Sequence, residues 1–435
     1  MFPELTFDGP TTSGLSSLDA AFAHAIYDAV IRRWFTLEFI VRGALDGNYD
    51  SLEPPVKSAL LGGVAQLLLL DRVPMHAAVN ESVNWAKWAR SRGAGGLVNA
   101  VLRRVVERVL RDQHRRVVPQ WTDARNLLPL ADGTALDLGD VKLPEDPLER
   151  LAVATGHPLP LLKSWAEQFG QDRTQAIALH DLMNPPTILN IGRTPPTSVN
   201  CSAHQRSGHG VFNGSREELT ATLAQHPDVW VQDPASSGAI ESIAHLKPKL
   251  ILDLCAGQGT KTRQLARTFP QARIIAGDTD RRRLARLAES VGNDDRVTVS
   301  DLRSIARQQS GTADLILLDV PCTNTGVLAR RVEARYRCGA DQTQRMISTQ
   351  KDILANAELL LKPGGAILYA TCSLEREENE SIIDWAVSSG RFTASDVRRE
   401  FPTGVPGAGD STYTDGAFSA LLTFDPTPKR KGRRS

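Results

Sequence analysis

The sequence has few cysteines, and it lacks the spacings in which cysteines usually form disulfides or bind zinc. Five cysteines occur in 435 residues, an odd number, and no two of them form a C-x-x-C pair. This pattern argues against a disulfide framework and against a zinc ribbon. We therefore predict a protein with reduced thiols and no metal, located in the cytoplasm.

The sequence also lacks a long apolar segment and a recognisable leader. The longest apolar run, residues 60–70, is interrupted by Gly62, Gly63 and Gln66 and is too short to span a bilayer. The N-terminus has neither the charged nor the apolar region of a signal peptide. With 435 residues, 41% of them hydrophobic, the chain has room for more than one domain. We expect a multi-domain monomer without a membrane partner.

The net charge is only +1 at pH 7, but the basic residues are unevenly distributed. Arginines and lysines cluster at residues 103–116, 281–286, 330–337 and 429–434. Local basic patches on a neutral protein are typical of binding to a polyanion in one orientation, which points to a nucleic acid. Solvated arginine-rich helix faces are the alternative interpretation.

The first quarter of the chain has the spacing of an all-α domain. Apolar residues recur at helical intervals through most of residues 17–116, and glycine and proline divide them into segments. Helices are predicted to begin near Ser17, at Pro54, after Pro74 and after Gly96. A compact helical bundle is therefore predicted for residues 1–120.

Two regions separate this bundle from the C-terminal part. Residues 121–148 lose periodicity and contain proline, glycine and acidic residues, which predicts a linker. Residues 149–245 combine a helical pair with short extended segments at 188–191 and 229–231. This combination predicts a small α/β adapter subdomain.

From Leu246 onward, short apolar runs alternate with helical segments. The predicted strands are residues 250–254, 273–276, 297–299, 315–318 and 366–369, with 417–424 as an added edge strand. Strands that alternate with helices imply a parallel sheet with right-handed crossovers. Residues 246–425 are therefore predicted to form an α/β domain, followed by a basic tail at 426–435.

The segment that joins the first of these strands to its helix has the features of a nucleoside-binding loop. It reads Asp253-Leu254-Cys255-Ala256-Gly257-Gln258-Gly259-Thr260-Lys261. Gly257 and Gly259 allow the backbone to approach a ligand closely. Thr262 stands where a dinucleotide fingerprint needs a third glycine, and the Gly-Lys-Ser/Thr order of a P-loop is absent. The remaining candidate is a nucleoside without a pyrophosphate, and S-adenosylmethionine fits this description.

Three charged residues are candidates for contacts with such a cofactor. Asp278 ends the second predicted strand, where an acid can accept hydrogen bonds from a ribose. Asp301 follows the third strand, in the usual place for a contact with an adenine amino group, although a helix N-cap is an equally simple interpretation. Lys261 lies in the first turn of a helix, where the helix dipole disfavours a cation. We therefore expect an anionic partner for Lys261, such as the methionine carboxylate.

Two cysteines stand just after predicted buried strands. Cys322 follows Asp319-Val320-Pro321, and Cys372 ends the apolar run that begins at Ala366. Because the carboxyl ends of parallel strands meet at one edge of a sheet, both thiols and Asp319 are expected to lie close together. The alternative is that both cysteines are small buried hydrophobic residues.

Two thiols beside an acid suit the methylation of cytosine at C5. This carbon is a weak nucleophile, but attack of a thiolate on C6 converts the ring to an enamine that can take a methyl group. Nitrogen N3 must be protonated or hydrogen-bonded as charge develops there, and the C5 proton must leave before the thiol is eliminated. Cys372, Asp319 and Cys322 are the groups predicted for these tasks.

At these residues the chain resembles the Nol/Nop/Sun family of RNA (cytosine-5)-methyltransferases. Residues 319–327 (D-V-P-C-T-N-T-G-V) are similar to the family motif D-A-P-C-S-x-T-G. Residues 369–380 (Y-A-T-C-S-L-E-R-E-E-N-E) are similar to its motif Y-x-T-C-S-x-x-x-x-E-N-E. The resemblance implies a class I, Rossmann-like methyltransferase domain that uses S-adenosylmethionine.

The resemblance also implies a role for each residue. Cys372 is implied to be the nucleophile, Asp319 to assist at N3 and touch the cofactor, and Cys322 to promote release. The implied cofactor site comprises Cys255, Ala256, Gly257, Gln258, Gly259, Thr260, Lys261, Asp278, Asp301 and Asp319.

Parts of the N-terminal half resemble the NusB-type RNA-binding domain. The similar segments are residues 67–87, with D-R-V-P at 71–74 and A-A-V-N-E-S-V at 77–83, and residues 96–103. A NusB-type bundle, an adapter and a catalytic domain in this order are similar to the bacterial Sun-type members of the family. This similarity implies 16S rRNA as the RNA partner.

Two segments depart from the family pattern. The family's cofactor loop C-A-A-P-G-G-K is replaced by C-A-G-Q-G-T-K at residues 255–261, and L-N-I-G at 189–192 replaces L-R-x-N in the adapter. Two alternatives to a 16S rRNA methyltransferase therefore stay open. One is a tRNA cytosine-5 methyltransferase, and the other is a non-catalytic RNA-binding assembly factor with a decayed cofactor loop. The retained pair Cys322 and Cys372 argues against the second alternative.

Overall fold

The computed structural model describes residues 9–110, 115–192, 198–292 and 294–426. Apart from Pro426, the predicted basic tail lies outside the described residues, as do residues 111–114 of the first basic cluster. The chain divides into two compact units. The first extends to Asn184 and includes Ala329–Tyr336 and Val405–Ala408, and the second contains the remaining residues.

Helices form most of the first unit, as predicted. They are α1 (Ser17–Ala44), α2 (Pro54–Leu69), α3 (Met75–Ala89), α4 (Arg92–Val109), α5 (Pro147–Thr155), α6 (Leu159–Phe169) and α7 (Gln171–His180). Ser16 caps α1, and Ser91 caps α4 by accepting the backbone N–H of Ala94. This cap explains why α4 begins before Gly96, where its start was predicted. Leucine and valine side chains from α1 to α4 fill a continuous core.

The region predicted as a linker, residues 121–148, contributes to that core. It contains strands β2 (Leu127–Pro129) and β3 (Ala135–Asp137), which form an antiparallel sheet with β1 (Arg116–Val118). Leu128, Leu136, Leu138 and Leu143 are buried among the helices. Strands of three residues are too short to show the alternation by which a strand is recognised in a sequence.

A buried arginine of the short helix α13 (Ala334–Arg337) anchors Ala329–Tyr336 in the first unit. Arg335 is 0% exposed. Its guanidinium donates to the backbone carbonyls of Arg32, Thr155, Gly156 and Asp181 at 3.2–3.3 Å. A buried guanidinium loses its hydrogen bonds to water, and these carbonyls accept hydrogen bonds in place of that water.

The second unit begins with a small antiparallel sheet. Its strands are β4 (Ile188–Asn190), β5 (Cys201–Ala203), β6 (His209–Phe212) and β7 (Trp230–Val231), in the spatial order β5-β6-β4-β7. Helices α8 (Arg216–Gln225) and α9 (Pro234–Ser242) accompany it. The predicted adapter, residues 149–245, is thus divided between the two units, because α5, α6 and α7 belong to the first.

A larger mixed sheet forms the rest of the second unit. Its strands are β8 (Leu250–Asp253), β9 (Arg273–Ala276), β10 (Val297–Val299), β11 (Ala313–Asp319), β12 (Leu361–Thr371), β13 (Phe392–Glu400) and β14 (Ala417–Phe424). Their helices are α10 (Thr260–Thr268), α11 (Arg281–Val291), α12 (Leu302–Gln308), α14 (Ala340–Glu358) and α15 (Glu380–Ser388). The spatial order is β10-β9-β8-β11-β12-β14-β13, and the first five strands are parallel. This confirms the predicted α/β domain.

The sheet continues one strand further than predicted. β14, predicted as the edge strand, lies between β12 and β13, and pairs with both in antiparallel fashion. β13 is the edge strand and was missed, because most of its side chains are exposed and its register shifts between Ser395 and Arg398. A charged, irregular edge strand has no alternating apolar pattern.

We expect Arg335→Met to lower the free energy of unfolding by about 3 kcal/mol, because buried carbonyls would lose their donor. Arg331→Met is the matched control, since Arg331 is exposed and its guanidinium lies 3.9 Å from the carboxylate of Glu333. Denaturant unfolding of both variants measures the difference. A loss in Arg335→Met no larger than that in the control would contradict this account.

Candidate active site

Neighbouring parallel strands bring most of the predicted site residues to one edge of the larger sheet. β8 and β12 lie on either side of β11, whose register pairs Leu317 with Asp253 and Asp319 with Ala370. The segments that follow these strands carry Cys255, Cys322 and Cys372. They therefore leave the sheet side by side at its carboxyl edge, as the sequence predicted.

The loop between β8 and α10 contains two glycines with left-handed backbone. Gly257 has φ 57° and Gly259 has φ 89°, values that favour glycine. A Cβ atom on Gly259 would overlap the side chains of Ser290 and Leu287, whereas one on Gly257 would meet open space. The loop is therefore packed tightly at the start of α10 and leaves room for a ligand at Gly257.

The other loop residues differ in exposure. Ala256 is buried, Cys255 and Thr260 are half-buried, and Gln258 is exposed. Burial raises the pKa of the Cys255 thiol, with the carboxylates of Asp253 and Asp319 adding to the effect. Cys255 therefore keeps its proton at neutral pH and is unsuited to act as a nucleophile.

Asp253, the last residue of β8, contacts helix α10 through its side chain. Its side chain is fully buried and accepts a hydrogen bond from Thr262 Oγ1 at 2.7 Å. Burial raises the pKa of Asp253 to about 7, and the nearby Asp319 carboxylate contributes in the same direction. Thr262, which replaces the third glycine of a dinucleotide fingerprint, thus has a structural partner.

The two predicted acids at the ends of β9 and β10 have different surroundings. Asp278 is buried, and its carboxylate accepts the backbone N–H of Gly257 at 3.0 Å, which ties it to the cofactor loop. Asp301 is exposed and caps α12, accepting both the N–H and the hydroxyl of Ser304. These hydrogen bonds lower the pKa of Asp301. The N-cap interpretation of Asp301 therefore describes its contacts.

Lys261 pairs with a side chain of the same site. Its Nζ lies 2.6 Å from Oδ1 of Asp319, and the two side chains are 14% and 35% exposed. The sequence predicted an anionic partner for Lys261 but named the methionine carboxylate. The observed pair links the cofactor loop to the end of β11 and places a cation and an anion together beside the cysteines.

The sulfur atoms of Cys322 and Cys372 lie 3.3 Å apart. The Cys372 thiol also donates to Oδ1 of Asn324 at 3.2 Å. The hydrogen bond with Cys372, followed by burial, raises the pKa of Cys322 far above its usual value. Cys322 therefore retains its proton while the two sulfurs remain in contact.

A cavity of about 110 Å³ opens beside Cys322. It is lined by Cys322, Thr323, Asn324, Arg337, Cys338 and Gln342. The guanidinium and amide groups among these residues can form hydrogen bonds with a polar ring or a phosphate. Sequence reasoning placed Arg337 in a basic cluster but did not assign Gln342, Asn324 or Cys338 to a site.

Sequence reasoning also missed the residue that joins the two cysteine-bearing loops. Glu378 is 0% exposed. Its carboxylate accepts hydrogen bonds from Thr323 and Ser373, the residues that follow the two cysteines, and from Gln350 of α14. The motif E-N-E that marked the family contains Glu378, but its burial depends on contacts between distant segments.

The described residues contain no group of three or more histidine, cysteine, aspartate or glutamate side chains that could hold a metal ion. In the same part of the chain, no helix is both long and apolar enough to cross a membrane.

Two family models match separate parts of the chain. Residues 243–404 match the family described as 16S rRNA methyltransferase RsmB/F. Residues 5–107 match the NusB family. The resemblance that the motifs indicated, to Sun-type RNA methyltransferases with a NusB-type domain, is thereby confirmed.

Similar sequences extend over most of the chain. The ribosomal RNA small subunit methyltransferase B of Sodalis glossinidius is 28% identical over 398 residues, covering 86% of this chain and 82% of the relative. The protein with the same description from Erwinia tasmaniensis is 29% identical over 379 residues, covering 83% and 80%.

Solved structures share the fold. The crystal structure of PH0851 has a TM-score of 0.67 at 21% identity and covers 94% of this chain and 91% of that chain. A methyltransferase homologue from Pyrococcus horikoshii has a TM-score of 0.51 at 22% identity, covering 65% of this chain and 100% of the other. At these identities the similarity concerns the fold alone.

The raised pKa of Asp253 predicts that stability depends on pH. Because the folded-state pKa of about 7 exceeds the ordinary value of 3.8, the contribution of Asp253 to stability is greatest at low pH and is lost as the pH rises from about 3.8 toward 7. Asp253→Asn keeps an acceptor for Thr262 without the charge. We expect the free energy of unfolding of Asp253→Asn, minus that of the unsubstituted protein, to be about 2 kcal/mol larger at pH 7 than at pH 5. Urea unfolding at both pH values measures this, and a constant difference would contradict it.

Proposed function

We propose that this chain, which carries an RsmB/F-type methyltransferase domain and a NusB-type domain, methylates C5 of a cytosine in RNA. The donor in this proposal is S-adenosylmethionine and the RNA is 16S rRNA. The observation that carries the proposal is the 3.3 Å separation of Cys322 and Cys372 beside a polar cavity. A protein that only bound RNA would have no use for two thiols in contact at the carboxyl edge of its sheet.

The first stage of the proposed reaction belongs to Cys372. Its thiolate attacks C6 of the cytosine, and the electrons of the C5–C6 double bond become available at C5. Asp319 is the group assigned to N3, where negative charge develops. It is paired with Lys261 in this structure, and in its protonated form it would donate a proton to N3. The cytosine must leave its stack to reach the sulfur, and the cavity lined by Asn324 and Arg337 is the proposed receptor for it.

The second stage belongs to Cys322. After C5 carries the methyl group, its proton must leave so that the bond between Cys372 and C6 can break. Contact with Cys372 is the main reason that the pKa of Cys322 is high. Once the sulfur of Cys372 is bonded to C6, that contact is changed, and Cys322 is better able to lose its proton and act as the base.

The cofactor site is assigned to the loop 255–261 with Asp278, Asp301 and Asp319. S-adenosylmethionine supplies an electrophilic methyl group when it is bound there. The residues present fit such a ligand, because the left-handed Gly257 leaves open space beside the loop. Asp278 holds the loop through the N–H of Gly257 and has a carboxylate at the end of β9, the position assigned to a ribose.

The RNA assignment draws on the relatives, whose names describe methyltransferases of the ribosomal small subunit. The NusB-type domain is proposed to bind the same RNA, and the protein is proposed to act in the cytoplasm as a monomer. A tRNA cytosine-5 methyltransferase would use the same thiol chemistry, so the choice of RNA is decided by experiment.

The experiment incubates the protein with labelled S-adenosylmethionine and either unmethylated 16S rRNA or tRNA, and then maps the labelled base. We expect label at C5 of a cytosine in 16S rRNA. Label in tRNA alone would replace the proposed substrate. No transfer to either RNA, with RNA binding intact, would contradict the enzymatic proposal and favour an assembly factor.

The two cysteines are expected to respond differently to substitution. Cys322→Ala should accumulate a covalent protein–RNA adduct, because the first stage proceeds and the second is blocked. Cys372→Ala should form no adduct and lose methyl transfer. Denaturing gel electrophoresis with labelled RNA measures both, and Cys201→Ala serves as a control cysteine in the small sheet. Turnover by Cys372→Ala would show that the nucleophile is assigned wrongly.

A further inference from the structure

Glu378 is a buried carboxylate that the proposed reaction does not use. It lies between β12 and α15, its side chain is 0% exposed, and none of the described residues that donate hydrogen bonds to it is a cation. Burial raises its pKa, while hydrogen bonds from Ser373, Thr323 and Gln350 act in the opposite direction. Burying a carboxyl group is costly even when it is hydrogen-bonded, so the burial of Glu378 calls for a function.

The partners of Glu378 come from both cysteine-bearing loops. Its carboxylate accepts the backbone N–H of Thr323 at 3.0 Å and the Thr323 hydroxyl at 2.5 Å. It also accepts the hydroxyl of Ser373 at 2.6 Å. Thr323 directly follows Cys322, and Ser373 directly follows Cys372. One carboxylate thus holds the residues adjacent to both sulfurs.

Helix α14 contributes a further hydrogen-bond donor to Glu378. Gln350 of α14 donates from Nε2 to Glu378 at 2.9 Å and to the carbonyl of Pro321 at 3.0 Å. Pro321, which precedes Cys322, is therefore linked to Glu378 through Gln350, and Thr323, which follows Cys322, is linked to it directly. The hydroxyls of Thr323 and Ser373 also lie 3.0 Å apart, so the network is closed rather than branched.

We propose that Glu378 is a positioning residue that holds the sulfurs of Cys322 and Cys372 in contact. The inference rests on the proposed function for its role in catalysis, but the contact itself can be tested without RNA or cofactor. The pairing of β11 with β12 ends at Asp319 and Ala370. Beyond it, the backbone N–H of Gly326 donates to the carbonyl of Cys372 at 2.9 Å, and side-chain contacts add to this bond in positioning the two loops. Glu378 supplies hydrogen-bond acceptors where the ladder ends.

The charge of Glu378 also acts on the pair. It contributes to the raised pKa of Cys322, after the larger effects of Cys372 and burial. A neutral replacement of similar shape would remove this contribution and would present an amide N–H₂ to hydroxyls that now donate to a carboxylate. Glu378→Gln is therefore expected to loosen the two loops without removing side-chain volume.

The test compares Glu378→Gln with Glu377→Gln, which changes the exposed neighbouring glutamate. Azodicarboxamide oxidises two adjacent thiols to a disulfide and is itself reduced to the hydrazine. We expect the unsubstituted protein and Glu377→Gln to form the disulfide between Cys322 and Cys372 readily, as mapped by peptide mass. Glu378→Gln should form it roughly 10-fold more slowly, since a small displacement of reacting atoms has a large effect on rate.

Methyl transfer provides the second readout. Glu378→Gln should lower kcat by roughly 10-fold or more while leaving KM for RNA and for S-adenosylmethionine unchanged. If the disulfide results hold but no variant transfers methyl groups, the proposed function fails and the positioning inference stands. If Glu378→Gln is folded and equals Glu377→Gln in both readouts, the inference is wrong.

A double-mutant comparison keeps the inference testable if Glu378→Gln does not fold. Thr323→Val and Ser373→Ala each remove one hydroxyl donor to Glu378. Thr323→Val keeps the backbone N–H bond to Glu378, whereas Ser373→Ala removes the hydroxyl that joins the Cys372 loop to it. Because this loss already detaches one loop, the double variant should form the disulfide no more slowly than Ser373→Ala. Independent, multiplying effects of the two substitutions would overturn the proposal, as would failure of the folded unsubstituted protein to form the disulfide.

Discussion

The side-by-side ending of β11 and β12 is the constraint on which the site depends. Their parallel register pairs Asp319 with Ala370, so the loops that follow carry Cys322 and Cys372 to a common point. Two strands separated by a third would start their loops about 10 Å apart, whereas neighbouring strands are about 5 Å apart. The proposed thiol chemistry therefore depends first on the order of the strands, and only then on individual side chains.

A second contact connects the thiol site to the cofactor loop. Lys261, in the first turn of α10, forms an ion pair with Asp319 at the end of β11. The loop lacks the proline and one glycine of the family pattern, yet Gly257 and Gly259 retain left-handed backbone and Asp278 holds the N–H of Gly257. The altered sequence is thus compatible with an open loop, because the positions that need unusual backbone are still glycine.

Much of the α/β domain could be predicted from the sequence, because most of its parallel strands are buried and apolar. The bounds of β9 and β10 were predicted correctly, and the thiols were expected at one edge. The strands that were missed, β1 to β3, β5, β6 and β13, are short or exposed and carry no periodic signal. The partner of Lys261 and the burial of Glu378 could not be predicted, since both depend on which distant segments the fold brings together.

The central claim is that Cys372 forms a bond with C6 of a cytosine. A 16S rRNA containing 5-fluorocytosine tests this most directly, because fluorine cannot leave C5 as a cation and the adduct cannot resolve. With S-adenosylmethionine present, we predict a stable protein–RNA complex whose cross-linked peptide contains Cys372. Absence of the complex, or a cross-link through Cys322 instead, would contradict the account.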